Sequence, residues 1–393
     1  MSPAPTHADL MARADALADL VQPRSREFEA LCHLPPDVVS AMADSGLLRL
    51  LTPAEVGGLE VPVASFFALI ERVARADASV AWCNFISCTS CVLAAYLDND
   101  ASKALFSTPT LKASGVFAPR GQARPETQHG VAGHRVSGRW FWGSGAAHAD
   151  LISGGCLVLG DDGRPQTDAA GAARVLSVVF ERTQVNVLGN WDTLGLRGSG
   201  SGEFEVSEAF VPASRCACLM DAPRIQTPLY RFPVFGLLAL GIAAVACGIA
   251  RRAIDELVAL ASDKTPQASS KTLAQRPATQ EAVARAEASL RSARAFVMEA
   301  IGAAWHSAQH SDGISVAERA DLRLAATHAV HTSAAVVDSL YTQAAGSAVF
   351  ADSPLQRCLR DVHVATQHMM VGESSWELSG RVKLGLPTNV AML

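Results

Sequence analysis

A serine between two glycines, Ser144, follows the run Arg139-Trp140-Phe141-Trp142 in a chain where aromatics make up only 6% of residues. A hydroxyl flanked by glycines sits where backbone can approach a flat ligand closely, and the neighbouring indoles offer faces to stack on. Strand period sends Trp140 and Trp142 to one face and Phe141 to the other. The same stretch, 139–150, also reads as an amphipathic edge strand closed by a glycine-rich turn. Near the C-terminus stand His363 and His368, imidazoles whose ordinary pKa lies close to neutrality, which suits proton transfer or polarisation of a substrate. Helical spacing lines up Arg357, Asp361, Val364 and His368 on one stripe and puts His363 on a different face. A helix-interface histidine bonded to a carbonyl is the other reading of His368. Donors for an anion are Arg197 and Ser199 in a Gly-rich turn, Arg276 in a polar segment, and Arg357.

The rest of the composition narrows the class of chemistry. Hydrophobic residues are 49% of the 393 and charged residues 18%, which describes a well-buried globular chain of two or three packed regions. A net charge of −5 with no basic block argues against nucleic acid as a partner. The most apolar run, 235–250, ends at Arg251-Arg252 and is shorter than a spanning helix needs, so no membrane is expected. The N-terminus lacks a basic region followed by an apolar stretch, so no secretory signal is expected. Nine cysteines, an odd number without a zinc-like spacing, predict buried free thiols in a reducing cytoplasm and no metal site. No GxGxxG follows a strand, so nothing points to NAD(P)H binding on this chain.

These residues need elements to position them. The pattern from 8 to 105 is helical, with Pro35-Pro36-Asp37 opening one helix, Gly46 near its end, and later helices over 63–77 and 79–97. After Pro109 the period becomes that of strands: 111–117, 134–141, 151–159, 175–180, 185–188 and 204–211, separated by Gly, Pro, Asp and Asn. From about 229 it is helical again, in long runs over 235–262, 279–309 and from the capping box of Ser315 and Glu318 to about 345. Ser311-Asp312-Gly313 reads as the turn before that box. A fourth helix starts at Ser353-Pro354. Four helices of 25 to 30 residues predict an antiparallel bundle, their alanine-rich faces suiting subunit contacts. The fold class is therefore α+β, with an N-terminal helical domain (1–110), a central β-barrel or sandwich (111–222) and a C-terminal four-helix bundle (223–393).

That order, with specific strings, resembles the acyl-CoA dehydrogenase superfamily, and within it the oxygenase components of flavin-dependent two-component monooxygenases. Members of that branch act on p-hydroxyphenylacetate, dibenzothiophene and indole. The resemblance covers nearly the whole chain. It rests on Ser45-Gly46-Leu47-Leu48 with Pro53 and Gly57-Gly58, on Ala76-Asp77-Ala78-Ser79-Val80-Ala81-Trp82, on Gly195-Leu196-Arg197-Gly198-Ser199-Gly200 before Val211-Pro212, and on SPLQRCLRD at 353–361. Each motif alone is weak; four in order are specific.

The resemblance implies an acyl-CoA-dehydrogenase-like fold, assembly as a homotetramer, and the use of a reduced flavin (FADH2 or FMNH2) and O2. It also implies a separate NAD(P)H:flavin reductase that supplies the flavin. The activity it implies is hydroxylation of a small aromatic or heteroaromatic substrate through a C4a-hydroperoxyflavin. On the same resemblance Trp142, Ser144 and Gly145 lie beside the flavin ring, with the Ser144 hydroxyl accepting from N5–H; Arg197, Ser199, Arg276 and Arg357 serve its phosphates. His368 matches the active-site histidine, and Trp82, Asn84 and Phe117 face the substrate. An acyl-CoA dehydrogenase would need a carboxylate about eight residues beyond Arg360-Asp361, where this chain has His368 or Met369, and the earlier alternative at 240–251 has no Asp or Glu either. Related phenol hydroxylases carry a further histidine in the strand that here reads Ala113-Ser114-Gly115-Val116-Phe117-Ala118-Pro119; none is present. An acyl-CoA dehydrogenase-type flavin oxidoreductase and a flavin-free binding or scaffold protein are the two other readings.

Overall fold

The computed structural model describes residues 5–167, 171–267, 269–310 and 313–393. Ser311 and Asp312 of the expected turn lie outside the described residues. The N-terminal helices are α1 (His7–Val21), α2 (Ser25–Leu31), α3 (Pro36–Asp44), α4 (Val63–Ala76), α5 (Ala78–Cys91) and α6 (Asn99–Phe106). The strands are β1 (Ala113–Gln128), β2 (Val131–Trp140), β3 (Leu151–Val158), β4 (Val175–Glu181), β5 (Asn186–Val187), β6 (Phe204–Pro212) and β7 (Cys216–Ala217). The chain closes with α7 (Pro228–Arg231), α8 (Val234–Asp263), α9 (Pro277–Ala308), α10 (Val316–Ala344), α11 (Pro354–Thr366) and α12 (Glu373–Lys383).

Local chemistry explains the boundaries that matter for the site. Asp77 breaks the helical run between α4 and α5 with extended backbone, and its carboxylate caps α5 by accepting from the Val80 N–H. Every residue of α5 is buried, and α8 packs against both α4 and α5. Both α5 and α8 are apolar enough to pass for membrane spans, yet 100% and 89% of their apolar windows are covered by the protein's own side chains. Ser315 and Glu318 cap α10 reciprocally, as the spacing predicts.

The strands make one seven-stranded sheet in the order β5-β6-β2-β1-β3-β4-β7, parallel only between β1 and β3. The sheet curls, so that Trp140 at the end of β2 stacks on Phe204 of β6 at 5.1 Å and meets Phe180 of β4 at 5.7 Å. Its indole N–H donates to the Gly155 carbonyl at 2.9 Å, which leaves no polar atom of this fully buried ring unpaired. β1 runs eleven residues beyond its expected end. Pro119 sits at a register shift, and Pro125 lies past the last pairing with β3, so neither missing N–H breaks a ladder on that side.

The fourth long helix of the expected bundle is in fact two. α11 stops at Thr366, the chain turns through 367–372, and α12 begins at Glu373. The turn is held by a side chain: the Met370 N–H donates to Nδ1 of His368 at 3.2 Å, and the Val371 N–H to the His368 carbonyl at 3.0 Å. His368 therefore does not continue the stripe of Arg357, Asp361 and Val364, because no helix exists at its position.

Candidate active site

Ser144 is where three parts of the chain meet. β2 ends at Trp140, and Trp142 takes a left-handed backbone with φ 64°, uncommon for a bulky residue. The turn continues through Gly145 at φ 74° and buries Ser144 to 3% exposure while leaving Trp142 63% exposed. Strict alternation thus fails at the last step: Trp140 enters the core and Trp142 does not share its face. The 143–145 turn is tied to the 196–202 loop by Gly143 N–H to the Gly202 carbonyl (2.8 Å) and Gly145 N–H to the Ser199 carbonyl (3.1 Å). Ser114 of β1 donates to the Ser144 carbonyl at 2.8 Å.

The Ser144 hydroxyl has two side-chain neighbours. The indole N–H of Trp82, from α5, donates to Oγ at 3.0 Å. The Ser201 Oγ lies at 2.6 Å, and Ser201 in turn lies 2.7 Å from the Ser199 Oγ, which bonds the Leu196 carbonyl at 2.6 Å. The ring of Trp82 faces the imidazole of His368 at 6.1 Å between centroids and 57° between planes. Trp82, Ser144 and His368, 62 and 224 residues apart in order, form one cluster.

The electrostatics of the cluster fix its protonation. Burial, with the Arg323 cation nearby, pushes the His368 pKa down to about 4. The imidazole is thus neutral at pH 7, and because Nδ1 accepts from Met370, its proton sits on Nε2. The ring can donate a hydrogen bond through Nε2. Among the described residues no Asp or Glu side chain bonds His368, Trp82 or Ser144, so the base a dehydrogenase requires is missing here. Glu373, the nearest carboxylate in sequence, lines a separate surface cleft with His363.

The expected anion donors are mostly engaged elsewhere. Arg197 donates to the Glu29 carbonyl, Asp192, the Thr193 carbonyl and the Cys32 sulfur. Arg357 stands 3.8 Å from Glu29, which also pairs with Arg360. Asp361 of α11 accepts the Leu196 N–H at 2.6 Å and so holds that residue's left-handed φ of 50°. Burial pushes the Asp361 carboxyl up to about 7. Gly195 is obligatory in this junction, since a Cβ there would stand 2.4 Å from the Arg360 carbonyl oxygen. These contacts dock α11 on the 194–201 loop. Arg276 makes no side-chain bond among the described residues and stands at the N-cap of α9.

Of the expected substrate contacts, the structure brings Trp82 to the cluster. Asn84 turns away, its amide donating to the Leu47 carbonyl at 3.2 Å while its Oδ1 is unpaired. Phe117 packs edge-on to Phe235 of α8 at 6.1 Å. Sequence reasoning missed Ser201 and Arg323. The Ser199-Gly200-Ser201 alternation was the available signal for the first; for Arg323 there was none. The nine cysteines are all free, none paired in a disulfide.

Two family models match the chain, the acyl-CoA dehydrogenase N-terminal domain over residues 5–106 and the acyl-CoA dehydrogenase C-terminal domain over 240–373. Indole-3-acetate monooxygenase of Pseudomonas putida is 33% identical over 94% of this chain and 93% of its own. The chain belongs to the monooxygenase branch of the acyl-CoA dehydrogenase family. The solved structure of the HsaA monooxygenase from M. tuberculosis superposes with a TM-score of 0.89 at 26% identity, covering 99% of this chain and all of that one. XiaF from Streptomyces sp., solved with FADH2 and glycerol, shares the fold with a TM-score of 0.87 at 24% identity over 97% of this chain and 96% of its own. For this member of the monooxygenase branch, the fold class is therefore established along its length.

Proposed function

We propose that this flavin-dependent monooxygenase hydroxylates a small heteroaromatic of the indole type, bound beside Trp82 and His368, with the flavin ring against Ser144 and Trp142. The observation that carries the reading is the joining of a buried hydroxyl, an indole and a neutral imidazole in one carboxylate-free cluster. The group fits: Trp142 offers an exposed indole at the mouth of the turn, and Ser144 a buried oxygen with hydrogen-bonding capacity left after Trp82. When bound, reduced flavin supplies the two electrons and the activation of O2. The chain's own residues do the rest. Trp82 holds Ser144 by its N–H and presents its ring to the substrate. His368 donates through Nε2 to an electron-rich substrate's heteroatom or hydroxyl and orients it. The apolar packing around α5 and α8 excludes water, which protects the oxygenating species from loss.

The relatives support the substrate class, since indole-3-acetate is named for the P. putida enzyme and indole is bound in a TdsC complex from Paenibacillus. A separate reductase delivers the flavin already reduced, consistent with relatives named as oxygenase subunits. Homotetramer assembly would cover the exposed Val349, Phe350 and Leu384, and free thiols suit the cytoplasm. The test is to mix the protein anaerobically with reduced FMN or FAD, add oxygen and indole or indole-3-acetate, and measure hydroxylated product against hydrogen peroxide. Product in excess of peroxide supports the reading. Peroxide alone with every indole tried sinks the substrate class, and flavin reduction by an acyl-CoA would replace it with dehydrogenation.

A further inference from the structure

The hydroxyls of Ser144, Ser201 and Ser199 form an unbranched chain, and counting their hydrogens gives two states in which every link points the same way. Each hydroxyl has one hydrogen to donate and two lone pairs. In the first state Ser199 donates to the Leu196 carbonyl, Ser201 to Ser199, and Ser144 to Ser201. Ser144 has then used its hydrogen and, through Trp82, one lone pair. It can only accept. In the second state Ser199 donates to Ser201 and Ser201 to Ser144, so both Ser144 lone pairs are filled and its hydrogen is free. It can only donate.

The second state is accessible because Leu196 does not depend on the Ser199 hydroxyl. Its carbonyl also accepts the Trp191 indole N–H and the Ser199 N–H, each at 3.0 Å. The first state nevertheless keeps one more internal hydrogen bond and is the resting one. Burial of all three serines, at 1 to 4% exposure, keeps water from substituting for any link.

We infer that the chain of Ser144, Ser201 and Ser199 is a reversible polarity switch whose resting state favours the reduced over the oxidised flavin. This rests on the reading that sets flavin N5 against Ser144. Reduced flavin carries a hydrogen on N5 and needs an acceptor; oxidised flavin has a bare N5 and needs a donor. The resting chain meets the first directly and must give up one internal hydrogen bond, to Leu196 or between Ser201 and Ser199, to meet the second. Ser201 and Ser199 are thus positioning residues: they touch no ligand and set which role Ser144 plays.

The experiment measures the Kd of oxidised and reduced FMN and FAD for the whole protein under anaerobic titration. In Ser201→Ala the Ser144 hydrogen is released from the chain, so the preference for the reduced form should fall about fivefold, the worth of one net hydrogen bond. In Ser199→Ala the Ser201 hydrogen has only Ser144 left to bind, so the preference should fall further. Ser201→Thr, which keeps the hydroxyl, should restore it. Equal weakening of both forms in the two alanine variants would reduce the serines to packing and overturn the switch. Wild-type protein gives an independent reading through the 15N resonance of N5-labelled flavin. A hydrogen-bonded N5 in both redox states supports the switch, and an unbonded N5 in the oxidised complex overturns it. If Ser144→Ala changes neither affinity, the placement of the flavin itself has failed; if it changes them while Ser201→Ala does not, only the switch has.

Discussion

His363 and His368 stand five residues apart and have little else in common. His363, on α11, bonds Asp338 of α10 at 2.8 Å in a surface cleft where the two side chains are 42% and 48% exposed. His368, on the turn after α11, is half-buried, has no carboxylate partner among the described residues, and is held neutral with its proton on Nε2. The cleft around His363 consists of two adjoining hollows of about 500 and 420 Å³ sharing that ion pair. Chemistry nevertheless favours the tighter place. A polar group out of water is costly unless something uses it, and an exposed pair on two helices has an ordinary surface role.

The sharpest way to break this comparison is to exchange the two imidazoles for methyls. His368→Ala should lower hydroxylation kcat by about 10²-fold or more, the usual range for a lost proton-handling group, with peroxide release rising in compensation. His363→Ala should stay within about threefold. Product assays with a flavin reductase present decide it, and the reverse order would relocate the site to the cleft. Next in size, Ser144→Ala should raise hydrogen peroxide released per product about tenfold, as expected for one hydrogen bond to a charged or reacting partner.

A third measurement reads His368 by pH. The folded pKa of His368 near 4 lies below its ordinary 6.5, so the unfolded chain binds more protons between those values. Stability attributable to this group is full above pH 6.5 and falls as pH drops towards 4. His368→Gln should flatten that limb in urea melts across the window. The smallest effect belongs to Asp338→Asn, which should cost less than about 1 kcal/mol in urea denaturation, since an exposed pair contributes little.

Much of this was legible in the residues. Local rules specified the Asp77 cap, the capping box of Ser315 and Glu318, the buried α5 and the three-part order, because each depends on neighbours in sequence. The site was legible in part. Ser144 and His368 stood out by type and by what was missing around them. Their surroundings did not, because Ser201 reaches Ser144 across 57 residues and Trp82 across 62. The break after Thr366 also escaped, since the strings before and after it are both helical and the break depends on one imidazole accepting a backbone N–H. β1 extends past Phe117, the end of the expected run, because Pro119 falls at a register shift and Pro125 beyond the last pairing with β3, which only the register shows.

The packing of β1 against β3 also bears on how this enzyme can diversify. At Gly115 an added Cβ would fall 2.1 Å from the Ser153 hydroxyl and 3.1 Å from that of Ser90. Ser90 and Ser153 are themselves buried and unpaired. A side chain at that strand position needs the Ser153 hydroxyl to move aside first. A lineage or a designer seeking phenolate chemistry through a histidine at Gly115 must first clear Ser153, and the intermediate carries a void or a clash. A larger residue at this one point of the sheet is thus tied to a second change beside it.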